Sequence, residues 1–127
     1  MRRGLVLIAT VLALAQTPAG VVEFFRILAE ALSQKNASDF LDKFDGNMPG
    51  YATLRDEIET LLAAADVGSA IEIVNDEGDD QKRALELDWL LEIGDHKPRR
   101  AIVKVSIERR GKNWKITALE PMEFFKY

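Results

Sequence analysis

Residues 83–93 read Arg83-Ala84-Leu85-Glu86-Leu87-Asp88-Trp89-Leu90-Leu91-Glu92-Ile93, and side-chain character alternates along them. In an extended chain Leu85, Leu87, Trp89, Leu91 and Ile93 share one face, with Glu86, Asp88 and Glu92 on the other, the pattern of a strand with one buried and one wet side. Residues 100–109 repeat it: Ala101, Val103, Val105 and Ile107 oppose Lys104, Ser106 and Glu108. Two further candidate strands flank this pair, at 70–74 and from Trp114 to about Glu120, with an extension through Phe125 left open. The segments 75–80, 94–98 and 110–113 are short and each carries a glycine or a proline, so neighbouring strands run antiparallel as a meander.

Upstream of Gly68 the period is helical. Val21, Phe24, Phe25, Leu28 and Leu32 share a face of a segment that starts with Thr17 as N-cap and Pro18 in the first turn. A short second helix, capped by Asn36 or Ser38, buries Phe40, Leu41 and Phe44 and stops at Asp45-Gly46. After the Met48-Pro49-Gly50 turn, a third helix over about 51–65 places Tyr51, Leu54, Ile58, Leu61, Leu62 and Ala65 on one side. Three amphipathic helices need an apolar surface, and the greasy sheet face is the only one large enough. The expected fold is α+β, with three helices on one side of a strongly bent, four-stranded antiparallel sheet.

The first fifteen residues follow another logic. Met1-Arg2-Arg3 is a positive start, Leu5 to Ala13 an apolar run, and Ala13-Leu14-Ala15 a small-x-small site before Gln16. The run is about ten residues where a membrane-spanning helix needs roughly 20. The expectation is a signal peptide cleaved after Ala15 and an exported product, periplasmic or secreted, comprising one domain at 16–127. The chain has no cysteine, hence no disulfide and no site for an acyl anchor at the new N-terminus, so no membrane association is expected after cleavage. Loss of Arg2 and Arg3 takes the basic residues from 17 to 15 against 21 acidic ones, and the net charge from −4 to −6. Such a balance argues against nucleic acid and anionic membrane as partners. The basic clusters Lys97, Arg99, Arg100 and Arg109, Arg110, Lys112 bracket a strand and stand some 30 Å apart, as loop charges rather than one patch.

The order helix, short helix, helix, then a meander ending in Gly111-Lys112-Asn113-Trp114-Lys115-Ile116 resembles the NTF2-like cone, shared with SnoaL-type and ketosteroid-isomerase-type proteins. Phe40 to Asp45, Met48-Pro49-Gly50-Tyr51 and Asp88-Trp89-Leu90-Leu91 add to the likeness, which covers about residues 20–125. It implies a sheet curled round the helices to leave a conical pocket, and dimerisation through the outer sheet face. It implies no single activity, since the fold carries isomerases, dehydratases, cyclases and non-catalytic binding domains.

Isomerase chemistry of that type needs a carboxylate base with hydroxyl donors in the cone. The candidates are Asp88 and Tyr51, although alternation points Asp88 to the other face, where Lys104 is its expected partner. Dehydratase chemistry needs an Asp and His pair, but the one histidine, His96, lies in a charged turn. The run Asp76 to Asp80 lacks the ligand spacing of an EF-hand, and neither a phosphate-binding glycine motif nor a serine nucleophile elbow occurs. No metal and no cofactor are expected. Phe44, Tyr51, Trp89 and Trp114 are the candidate lining of a pocket for a small apolar ligand, or else they fill the cone. Leu90, Ile102 and Leu119, with Lys104, are the candidate homodimer interface on the outer face. The sequence is therefore compatible with two functions: a non-catalytic domain that binds a small apolar ligand or associates through its sheet, and a small lyase or isomerase.

Overall fold

The computed structural model describes residues 9–14 and 16–127. Its elements are β1 (Ala9–Leu12), α1 (Ala19–Ser33), α2 (Ala37–Asp42), α3 (Tyr51–Ala64), β2 (Val67–Gly78), β3 (Lys82–Ile93), β4 (Arg99–Arg110), β5 (Asn113–Glu120) and a 3-10 turn at Met122–Phe125. The sheet runs in the order β1-β2-β3-β4-β5. The four long strands form the expected antiparallel meander, and β1 adds a fifth, parallel strand at the edge of β2, with Ala9 opposite Ser69 and Leu12 opposite Glu72. This strand comes from the segment expected to be a leader. The rest of that segment, residues 1–8 and 15, lies outside the described residues.

Local chemistry explains where other boundaries moved. Pro18, not Thr17, is the N-cap of α1: its carbonyl accepts from the amides of Val21 and Val22 at 3.0 and 3.1 Å. Asn36 caps α2 by accepting from the Asp39 amide at 3.0 Å. Phe44 falls beyond α2 and forms a parallel bridge with Ile116. Val67 and Gly68, which look like a helix end, instead start β2, because Val67 is buried opposite Ile93.

Alternation is interrupted twice. The β2–β3 register slips between Ile73 and Asn75, and the β4–β5 register slips between Ser106 and Ile107. Val74 and Thr117 are thus the extra residues of two bulges, which bend and twist the strands that carry them. The bend wraps the inner face around the helices.

On that inner face Trp89 is fully buried, and its indole N–H donates to Ser69 Oγ at 2.8 Å. Phe125 packs edge-on against Trp89 with ring centroids 5.2 Å apart, and Phe40 meets Phe125 at 5.7 Å. Pro121 ends β5, and the turn after it carries Phe124 and Phe125 back under the sheet; β5 therefore does not extend through Phe125. Arg99, on the inner face of β4, fastens this turn by donating to the carbonyls of Phe124 and Lys126 at 2.6 and 2.7 Å. Phe125→Ala should lower stability by about 3–5 kcal/mol, read as a fall in the urea midpoint.

Candidate functional site

The cross-strand register assembles the outer sheet face row by row. Asn75, Glu86, Lys104 and Glu120 form one row across β2 to β5, and Glu77, Ala84, Ser106 and Ala118 form the next. The small side chains of the second row floor an open groove of about 470 Å³, walled by Glu86, Lys104 and Glu120. A third row holds Glu72, Asp88 and Ile102, and Ala70 and Leu90 lie beyond it beside Arg100. Ile102 is 46 % exposed in the middle of this face, and Leu90 is half-buried.

Asp88 belongs to this outer face. Arg100 grips its carboxylate through two hydrogen bonds of 2.8 and 2.6 Å, and this bonding, with the adjacent cationic charge, holds the Asp88 carboxyl below the ordinary carboxylate range. The partner is Arg100 rather than the expected Lys104, which stands between Glu86 and Glu120. Tyr51 opens α3 on the opposite side of the sheet, so the two catalytic candidates do not meet. Leu119, expected on the outer face, is buried on the inner one opposite Val105. The Thr117 bulge is the reason, since one extra residue reverses the facing of every residue after it.

The four aromatic candidates do not converge on one cavity either. Trp89 is packed under Phe124 and Phe125, and Phe44 packs at a tilt against Phe40, with ring centroids 5.1 Å apart. Tyr51 borders a shallow cleft beside α2, and Trp114 borders a separate one between α1 and the β4–β5 turn, with the Arg109 guanidinium 4.7 Å from its ring.

Several pairings were not visible in the sequence. Asp76 looks like part of a solvated acidic turn, yet its side chain is fully buried and Arg83 holds it at 2.9 and 3.2 Å. The bulge at Val74 sets Asp76 on the inner face opposite Leu85, and Arg83 lies on that face too. Asp79 closes the turn by accepting from the amides of Gln81 and Lys82, which keeps its carboxyl below the usual range. Asp45 is lowered in the same way by the Asn47 amide first and by Arg110 second. Burial pushes the Glu57 carboxyl up. The His96 ring packs against Tyr127, whose hydroxyl lies 3.2 Å from its Nε2. Among the described residues no group of three or more His, Cys, Asp or Glu side chains converges as a metal site would.

No family model matches the chain, and no curated protein matches it in sequence. Solved structures do. Bd1075 of Bdellovibrio bacteriovorus superposes with a TM-score of 0.70 at 12% identity over 79% of this chain and 38% of its own. This chain thus spans little more than a third of that protein. An NTF-2 like protein of unknown function from Shewanella oneidensis MR-1 gives 0.69 at 10% identity, covering 79% and 93%. A Thiobacillus denitrificans protein described as a calcium/calmodulin-dependent protein kinase type II association domain gives 0.61 at 14%, covering 76% and 88%. The chain has the NTF2-like cone fold, and at such identities the likeness shows the fold alone.

The two arginine–aspartate pairs separate by burial. Arg83→Ala strands a buried carboxylate and should cost about 3 kcal/mol, whereas Arg100→Ala, at a side chain 67% exposed, should cost under about 1 kcal/mol. Chemical denaturation of the two variants checks this ranking.

Proposed function

We propose that this is an exported, non-catalytic domain that works by association, two copies joining through their outer sheet faces. The observation that carries the reading is Ile102, a large apolar side chain 46 % exposed at the centre of an ordered sheet face. Around it stand charges of both signs, Glu86, Asp88, Glu120, Arg100 and Lys104. A two-fold axis sets one patch against its own copy, so a face carrying both signs complements itself about an apolar centre. One structural neighbour is itself described as an association domain. The interior favours surface action too, because Trp89, Phe40, Phe44 and Phe125 pack on one another where a ligand would lie. The lyase or isomerase alternative draws no support from Asp88 and Tyr51 on opposite sides of the sheet.

Light scattering of the purified protein at micromolar concentration should give a dimer mass. Ile102→Asp should weaken the dimer about 100-fold without unfolding the domain. A wild-type monomer overturns the reading.

For export, mass spectrometry of material from the secreting host should find Gln16, free or cyclised, at the N-terminus. Chains that all retain Met1 would sink that part. Cleavage after Ala15 would also remove β1 from the edge of β2.

A further inference from the structure

The cleft between α1 and the β4–β5 turn lies apart from both the outer face and the packed interior. Its volume is about 330 Å³, at the lower end for small-molecule sites, and Phe24, Ile27 and Trp114 supply its apolar lining. Three lysines, Lys43, Lys112 and Lys115, stand around those side chains.

The charge there runs against that of the whole chain, which is −4. Of the two carboxylates at the cleft, Glu23 is already held by Arg26 on the next turn of α1, at 2.6 and 2.9 Å. The other, Asp42, lies 3.9 and 3.8 Å from Lys43 and Lys115 with its side chain 72% exposed, so it offsets one of those two charges and leaves the cleft net positive. Lys115 is oriented across the cleft by donating to the Asp42 carbonyl, and Lys112 has no ion-pair partner among the described residues. Arg109, outside the cleft lining, holds the Trp114 ring, with its guanidinium 4.7 Å from the ring centroid and its Nε donating to the Asp80 carbonyl. α1 begins beside the cleft at Ala19 and Gly20 with no acidic residue in its first turn, so the helix dipole adds to the positive potential.

An apolar aromatic floor under a net positive charge selects one chemistry. We infer that this cleft binds a small, flat aromatic carboxylate, its ring against Trp114 and Phe24 and its carboxylate facing Lys112 and Lys115. The cations supply orientation and specificity, and the ring supplies buried area. The site is independent of the association face, because none of its residues lies on the outer rows around Ile102.

The test is a titration of the full chain with 1-naphthoate, followed by amide and indole N–H shifts in two-dimensional NMR, with 1-naphthalenemethanol as the neutral counterpart. Saturable shifts are expected at Gly20, Phe24 and residues 112–115. The alcohol should bind about tenfold more weakly, and Lys112→Glu should weaken naphthoate by a similar factor. The same spectra report whether the variant is folded, and the comparison of acid with alcohol needs no variant. Naphthoate that gives no saturable shift up to about 10 mM, shifts that cluster elsewhere, or an alcohol that binds as tightly as the acid would each overturn the assignment.

Discussion

A strand that is apolar along one whole side has to be covered along its whole length, and that constraint governs the rest of this domain. From Leu85 to Ile93 the apolar side of β3 extends about 27 Å, with Trp89 midway. The indole is the largest fully buried side chain, and burying its N–H without a partner would oppose folding; Ser69 on β2 supplies that partner. Cover for the strip comes in pieces. α1 brings Phe25, Leu28 and Leu32, α3 brings Leu54, Ile58 and Leu61, and the C-terminal turn brings Phe124 and Phe125. The bulges at Val74 and Thr117 let the sheet bend around these pieces.

The parts of the fold that obey a period were legible beforehand. The helical faces follow from the 3.6-residue period and the two faces of β3 and β4 from alternation, because residues on one face are sorted by what they touch. The losses occur where a single residue breaks the period. Thr117 carries no mark of a bulge, and one inserted residue sends Leu119 inward although its neighbours suggest the reverse. Val74 does the same for Asp76, whose partner Arg83 lies seven residues on, across a hairpin. Val67 to Ser69 is too short and too small in side chain to declare a strand before its partner is known. Ala9–Leu12 presents the opposite difficulty: the same apolar residues satisfy the pattern of a leader and that of an edge strand. Among the site candidates, the facing of Glu86, Asp88 and Ile102 was readable. The grip of Arg100 on Asp88 was not, because alternation gives a side chain's direction and not its diagonal neighbour.

The two sides of the sheet have been given different work. Inner-face arginines point at backbone or at buried carboxylates: Arg99 at two carbonyls, Arg83 at Asp76. They act as fasteners, and their N–H donors are taken up in doing so. On the outer face Lys104 lies between two glutamates without closing on either within 4 Å, and Ile102 is left in water. Side chains left with unused capacity on a rigid support are the ones free to meet something else.

The turn that closes the core has a consequence for how the chain is made. Phe124 and Phe125 follow every other core residue in sequence, and Arg99 can fasten them only once they have arrived. While the chain emerges N-terminus first, helices and meander alike are present with the middle of the sheet still bare. Final packing therefore waits until Phe124 and Phe125 have been made and can reach the sheet. A nascent chain stalled short of Phe125 exposes Trp89 and its neighbours, a sticky surface that chaperones and proteases recognise. A truncation that removes Phe124 and Phe125 is accordingly a lesion of the core.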